Sequence, residues 1–137
     1  MIRSITGIIL TLSCLTALPL FSRGKASFIP GKIHEKVSCL DYPEEAYALY
    51  LPTAFTTDRK WPVIVSLDPG GVVLVPMKLL QSMAEEFGYI LICPYKVRNG
   101  PLKPAFRAMD ATWRDLSSRF PLDLRRVYAI GFSGGAR

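Results

Sequence analysis

The residues best suited to chemistry stand near the end of the chain, which reads Gly131-Phe132-Ser133-Gly134-Gly135. This is a G-x-S-x-G spacing. Glycines two before and two after a serine let a strand reverse closely into a helix, and the bend lifts the serine hydroxyl above the sheet edge. A hydroxyl held this way suits nucleophilic attack on a carbonyl, whose oxygen then becomes negative and needs hydrogen-bond donors. The backbone N–H of Gly134 is one candidate donor. The second is expected from the loop after an earlier strand, here Asp68-Pro69-Gly70-Gly71. Pro69 has no N–H, which leaves Gly70 or Gly71. Asp68 has two readings: an acid of the same site, or the residue that closes the turn through its side chain.

Other chemistries find little to work with. The chain has one histidine, His34, read as a surface residue, and it holds no Cys-x-x-Cys spacing. Neither a metal set nor a phosphate loop is legible, so no cofactor is expected. The net charge of +6 falls to +3 when Arg3, Arg23 and Lys25 of the N-terminal segment are set aside. The remaining basic residues are scattered, whereas a nucleic-acid surface concentrates them in a stripe. No nucleic-acid partner is expected.

The elements that must position Ser133 follow from hydrophobic patterning. Residues 32–38 alternate weakly and residues 47–51 more clearly, with Pro43 and Glu44-Glu45 between them. That order predicts an antiparallel β-hairpin. Residues 62–67, 89–93 and 127–130 are short apolar runs rich in branched side chains, expected as strands buried on both faces. Residues 77–87 carry Leu79, Leu80, Met83, Ala84 and Phe87 at helical spacing, and Gly88 follows as a helix-ending glycine. Residues 105–120 predict a second helix, with Phe106, Met109, Trp113, Leu116 and Phe120 inward and Arg107, Asp110 and Arg114 outward. Residues 96–104 are expected as a loop. Alternating β and α units mean an α/β fold with parallel strands and helices on both faces.

The N-terminus is expected to be a targeting segment rather than part of this domain. Arg3 precedes an uncharged apolar run over residues 5–21, and Gly24 and Ala26 then give a small-x-small exit. Residues 1–26 therefore predict a signal peptide cleaved after Ala26, with a retained membrane anchor as the alternative. The protein would be exported, periplasmic or secreted, and would meet the membrane only through that segment if uncleaved. Residues 27–137 form the domain. Cys39 and Cys93 remain in it; a disulfide between them is one option, and Cys93 as a small buried apolar residue is the other.

From Tyr47 onward the chain resembles secreted α/β-hydrolase-fold esterases of the polyhydroxybutyrate-depolymerase and feruloyl-esterase-like group. The resemblance is carried by Tyr47-Ala48-Leu49-Tyr50-Leu51-Pro52, by Trp61-Pro62-Val63-Ile64-Val65, and by Arg126 through Gly135. Where that group has Leu-His-Gly, this sequence has Leu67-Asp68-Pro69. The resemblance implies the N-terminal portion of an α/β-hydrolase fold, truncated just after the nucleophile elbow. It also implies a small-molecule or polymeric carboxylic ester as substrate, and an acyl-enzyme on Ser133 formed with a histidine and an acid. In such enzymes the acid and the histidine follow the serine in sequence, and roughly 100 further residues complete a domain. The 137 residues alone are thus expected to be inactive, with an open sheet edge that favours aggregation. The competing reading is a non-catalytic α/β module that binds a ligand or partner through its loops.

Overall fold

Alternate residues of a strand point to opposite faces of a sheet, and β2 (Ala46–Tyr50) shows what that does here. Tyr47 and Leu49 join one apolar cluster, while Ala48 and Tyr50 join another on the opposite face. The computed structural model describes residues 27–136. Besides β2 it contains β1 (Ile33–Ser38), β3 (Trp61–Leu67), β4 (Ile90–Pro94) and β5 (Leu122–Gly131). Two helices, α1 (Leu74–Phe87) and α2 (Leu102–Arg119), and a 3-10 turn (Ser133–Ala136) complete it. Val73, Met77 and Ala84 of the α1 segment pack on Ala48, Ile64, Leu91 and Cys93. Ala111 and Leu116 of α2 pack on Tyr47, Leu49, Val63, Val65 and Ile92.

The strands lie in the order β1-β2-β4-β3-β5. β1 and β2 form the expected antiparallel hairpin, β2 runs antiparallel to β4, and β3 runs parallel to both β4 and β5. Leu67 pairs with Gly131, so β3 and β5 end side by side, and each gives way there to a glycine-containing loop.

Several details differ from the sequence reading. Both helices begin three residues before the expected position, at Leu74 and Leu102. Pro76 and Pro104 lie in their first turns, where a missing N–H removes no helical hydrogen bond. β4 takes in Pro94 and leaves out Tyr89. Phe106, expected on the inner face of α2, is 69% exposed, because Ala108, Ala111, Thr112, Asp115 and Leu116 form the buried stripe.

The largest difference is β5. Its apolar run was expected to be buried on both faces, yet Val127, Tyr128 and Ile130 are 39%, 48% and 42% exposed. Among the described residues β5 pairs only with β3, so one edge stays open. On the α2 side an apolar groove of about 370 Å³ separates Val127, Tyr128 and Ala129 from Met109 and Trp113.

Cys39 and Cys93 are both free and belong to the clusters on opposite faces of the sheet, which rules out pairing. Burial pushes each thiol up to about 11. Burial and a hydrogen bond to Glu85 push the Tyr50 phenol up to about 12. These groups are held neutral by the fold, and their folded pKa values exceed the unfolded ones. Their contribution is therefore complete below pH 9, the ordinary thiol value, and is lost as pH rises through 11. The urea midpoint is expected to be flat up to about pH 8.5 and to fall between about pH 9 and 11, with a shallower fall in Cys39→Ala/Cys93→Ala. Equal slopes in the two proteins would show that the thiols are not the cause.

Candidate active site

β5 runs to Gly131, and Ser133 then turns the chain with φ +50°. Among the described residues it is the only one other than glycine with positive φ. A side chain disfavours this left-handed region by roughly 1–2 kcal/mol, because Cβ approaches the following carbonyl oxygen. The bend continues into the 3-10 turn, where the Gly135 N–H donates to the Phe132 carbonyl at 2.9 Å. Ser133 itself is exposed.

Gly135 explains how the bend is held. A methyl group at this position would stand 2.4 Å from the Leu67 carbonyl oxygen and 2.9 Å from its carbon. The obstacle is backbone at the end of β3, which cannot swing aside. Gly135→Ala is expected to push the turn off β3 and move Ser133 by about an ångström. The displacement should cost about 1–3 kcal/mol, the usual penalty of forcing atoms into a packed contact, read as a lower urea midpoint. An unchanged midpoint would mean that the contact with Leu67 does not hold the turn.

The loop after β3 is drawn in on itself. Asp68 Oδ1 accepts from the Gly70 N–H at 2.9 Å and from the Val72 N–H at 2.8 Å. The Gly71 N–H donates to the Asp68 carbonyl at 3.2 Å. Of its two sequence readings, Asp68 takes the turn-closing one. Gly70 and Gly71 lie in the expected loop, but their N–H groups are engaged by Asp68. Gly71 has φ +74°, and a methyl there would meet the Tyr95 carbonyl oxygen at 3.0 Å, so the loops after β3 and β4 touch.

Within the loop after β4, which residue order already puts near the mouth of the site, Asn99 is the residue that sequence reasoning missed. The Asn99 N–H donates to the Pro69 carbonyl at 2.9 Å. The Asn99 side chain lies against Gly134, where an added methyl would fall 1.7 Å from its Oδ1. The sequence offered only Asn99-Gly100-Pro101 as a turn signal, which says nothing about what the loop would meet. Ser133, Gly134, the Gly70-Gly71 loop and Asn99 thus gather at the carboxyl ends of three parallel strands, where ligands bind in open α/β sheets.

His34 does not join them. It lies on β1, its ring packs edge-on against Phe28, and its Nε2 accepts from the Ile29 N–H at 3.0 Å or, in the other tautomer, donates to the Ile29 carbonyl at 3.2 Å. Four strand spacings separate β1 from β5, about 19 Å at ~4.8 Å each. Among the described residues no group of three or more His, Cys, Asp or Glu is arranged to hold a metal ion, and no helix is long and apolar enough to cross a membrane. The expected signal segment, residues 1–26, lies outside the described residues.

No protein-family model and no curated protein sequence matches the chain. Solved structures do. Esterase 2 of Thermogutta terrifontis phosphonylated by sarin matches with a TM-score of 0.57 at 13% identity, over 80% of this chain and 43% of that one. Its butyrate-bound form gives 0.56 at 13% identity, over 76% and 41%. An S-formylglutathione hydrolase from Agrobacterium tumefaciens gives 0.50 at 16% identity, over 76% and 48%. The chain spans less than half the length of each of these structures. The hairpin, the parallel strands and the two covering helices therefore have the fold of the N-terminal portion of an α/β-hydrolase domain.

Proposed function

We propose that this chain carries the nucleophile of a serine hydrolase acting on carboxylic esters, with Ser133 as the attacking residue. The observation that carries the reading is the exposed Ser133 at φ +50°, directly between a strand and a tight turn packed on the neighbouring strand. A strained residue of this kind persists where the surroundings over-determine it, and such residues cluster at active sites. The base and the acid are proposed to come from outside these 137 residues, because the one histidine lies on the strand at the opposite sheet edge.

The chemistry follows from that geometry. A histidine removes the Ser133 proton as Oγ bonds to the carbonyl carbon, and the carbonyl oxygen takes the negative charge beside the Gly134 N–H. Collapse of this adduct breaks the ester C–O bond, and the alcohol leaves with the proton from the histidine. Water then attacks the acyl-enzyme with the same base, releasing the acid and restoring Ser133. The stretches around Tyr47, Trp61 and Arg126 favour the polyhydroxybutyrate-depolymerase and feruloyl-esterase-like group within this class. We further propose export, with residues 1–26 as the signal.

A fluorophosphonate probe tests the reading on the full-length protein, and the choice is natural because the similar Thermogutta esterase is phosphonylated by sarin. Peptide mapping is expected to place the phosphonyl group on Ser133. A probe that modifies no residue would favour the non-catalytic binding module, and one that modifies a different serine would move the nucleophile away from Ser133.

A further inference from the structure

We propose that Arg98 selects esters that carry a second, ionised carboxylate group, an assignment that rests on the nucleophile reading above and names the substrate class of that site. A guanidinium is a permanent cation whose N–H fork matches a carboxylate. A place for such a group therefore shows as an arginine held in position and left without an internal anion. Residues 87–109 hold four bases, Lys96, Arg98, Lys103 and Arg107, and no acid. Two of these bases are engaged: Lys96 Nζ lies 3.2 Å from Oε1 of the buried Glu45, and Arg107 pairs with Glu44. Among the described residues the Arg98 side chain has no ion pair and no hydrogen-bond acceptor. Asp68, the acid of the neighbouring loop, keeps Oδ1 on the Gly70 and Val72 N–H groups.

Two loops set the place of Arg98. Its side chain crosses the bare face of Gly71 in the loop after β3, where a methyl would stand 3.0 Å from Cδ and 3.6 Å from a terminal nitrogen. The backbone on either side is fixed. The Tyr95 N–H donates to the Ala46 carbonyl at 3.1 Å, and the Asn99 N–H to the Pro69 carbonyl at 2.9 Å. The next side chain, that of Asn99, lies against Gly134, the residue after the nucleophile. One side-chain contact and two peptide links, each about 3.8 Å between Cα atoms, therefore connect Arg98 to Ser133. Arg98 is exposed at the carboxyl ends of the parallel strands, the end from which an ester approaches Ser133. An ester with its own carboxylate a few bonds from the reacting carbonyl can engage both residues. An uncharged ester leaves the cation to water.

Hydrolysis by the full-length protein tests the assignment with two pairs of esters. Mono-p-nitrophenyl glutarate carries a carboxylate on the acyl side, and p-nitrophenyl pentanoate is its neutral partner. 4-Acetoxybenzoate carries one on the alcohol side, and 4-acetoxybenzamide is its neutral partner. The preference is kcat/KM for the anionic ester divided by that for its partner. In at least one pair the parent is expected to prefer the anion, and Arg98→Ala to lower that preference by about tenfold or more, the usual effect of a hydrogen bond to a charged group. Arg98→Lys keeps the charge without the fork and should recover part of it. Neutral esters should be hydrolysed within about threefold of the parent rate, and Tm should hold within about 2 °C, since Arg98 is exposed. With Ser133 labelled by the fluorophosphonate, two results overturn the Arg98 role and leave the nucleophile intact. One is a parent with no preference in either pair, and the other is a preference that Arg98→Ala changes by less than about threefold. An equal loss on anionic and neutral esters, with a fall in Tm, overturns it in favour of a structural role. Failure to label Ser133 overturns both readings.

Discussion

Ser133→Ala is expected to abolish fluorophosphonate labelling of the full-length protein and to lower ester turnover by about four to six orders of magnitude. The size of the effect follows from the division of labour at the bend. In the proposed reaction covalent catalysis runs through one oxygen atom, and an alanine has nothing to put in its place. What survives is the binding of ester and the amides around the oxyanion, which together give roughly a thousandfold over water. Alanine keeps a Cβ at φ +50°, so the strain and the packing of Gly135 on Leu67 are unchanged. The variant should therefore fold like its parent, and any loss reports chemistry. Ser133→Gly would relieve the strain while removing the same oxygen. It should be equally inactive and slightly more stable, by about 1 kcal/mol. An Ala variant that keeps even a tenth of the parent activity would show that turnover runs through another residue.

Much of this site could be read from residue order, and its limits are instructive. The G-x-S-x-G spacing after an apolar run located the bend, because the steric need for glycine at Gly135 is local and leaves its mark on the sequence. The hairpin, the parallel strands and the helix on each face were legible from alternation and helical spacing for the same reason. What failed depended on contacts between distant segments. Asn99 looked like any turn residue, since its meeting with Gly134 is decided by how the loops after β4 and β5 are carried by their strands. The apolar run at residues 127–130 states what β5 is suited to, and its exposure depends on what stands beside it. The inner face of α2 was misread at Phe106 because a bulky residue drew attention from the small stripe of Ala108 and Ala111. The same stripe includes a carboxylate, which no apolar pattern would place inside.

That carboxylate, Asp115, carries the second large effect. It is 5% exposed and binds three groups from three segments. Oδ1 accepts from the Leu40 N–H at 2.8 Å, while Oδ2 accepts from the Tyr47 hydroxyl and from Arg119 Nε, both at 2.7 Å. Arg119 also reaches the Ser38 carbonyl at 3.2 Å. One side chain of α2 thus fixes the hairpin connection to the sheet face it covers. Burial and the bond to Asp115 raise the Tyr47 phenol above its ordinary value, so it stays a donor across the neutral range. Asp115→Ala would leave a backbone N–H, a phenol and a guanidinium without their acceptor in a dry place. The expected loss is about 3–5 kcal/mol, a large share of the roughly 5–15 kcal/mol that holds an ordinary domain together. Asp115→Leu combined with Arg119→Met and Tyr47→Phe removes donors and acceptor together and should be less damaging than Asp115→Ala alone, since apolar replacement of a whole buried network is often close to neutral. Urea unfolding of the two proteins decides the point. If Asp115→Ala unfolds within about 1 kcal/mol of the parent, α2 is held to the hairpin by its apolar stripe and the network contributes only orientation.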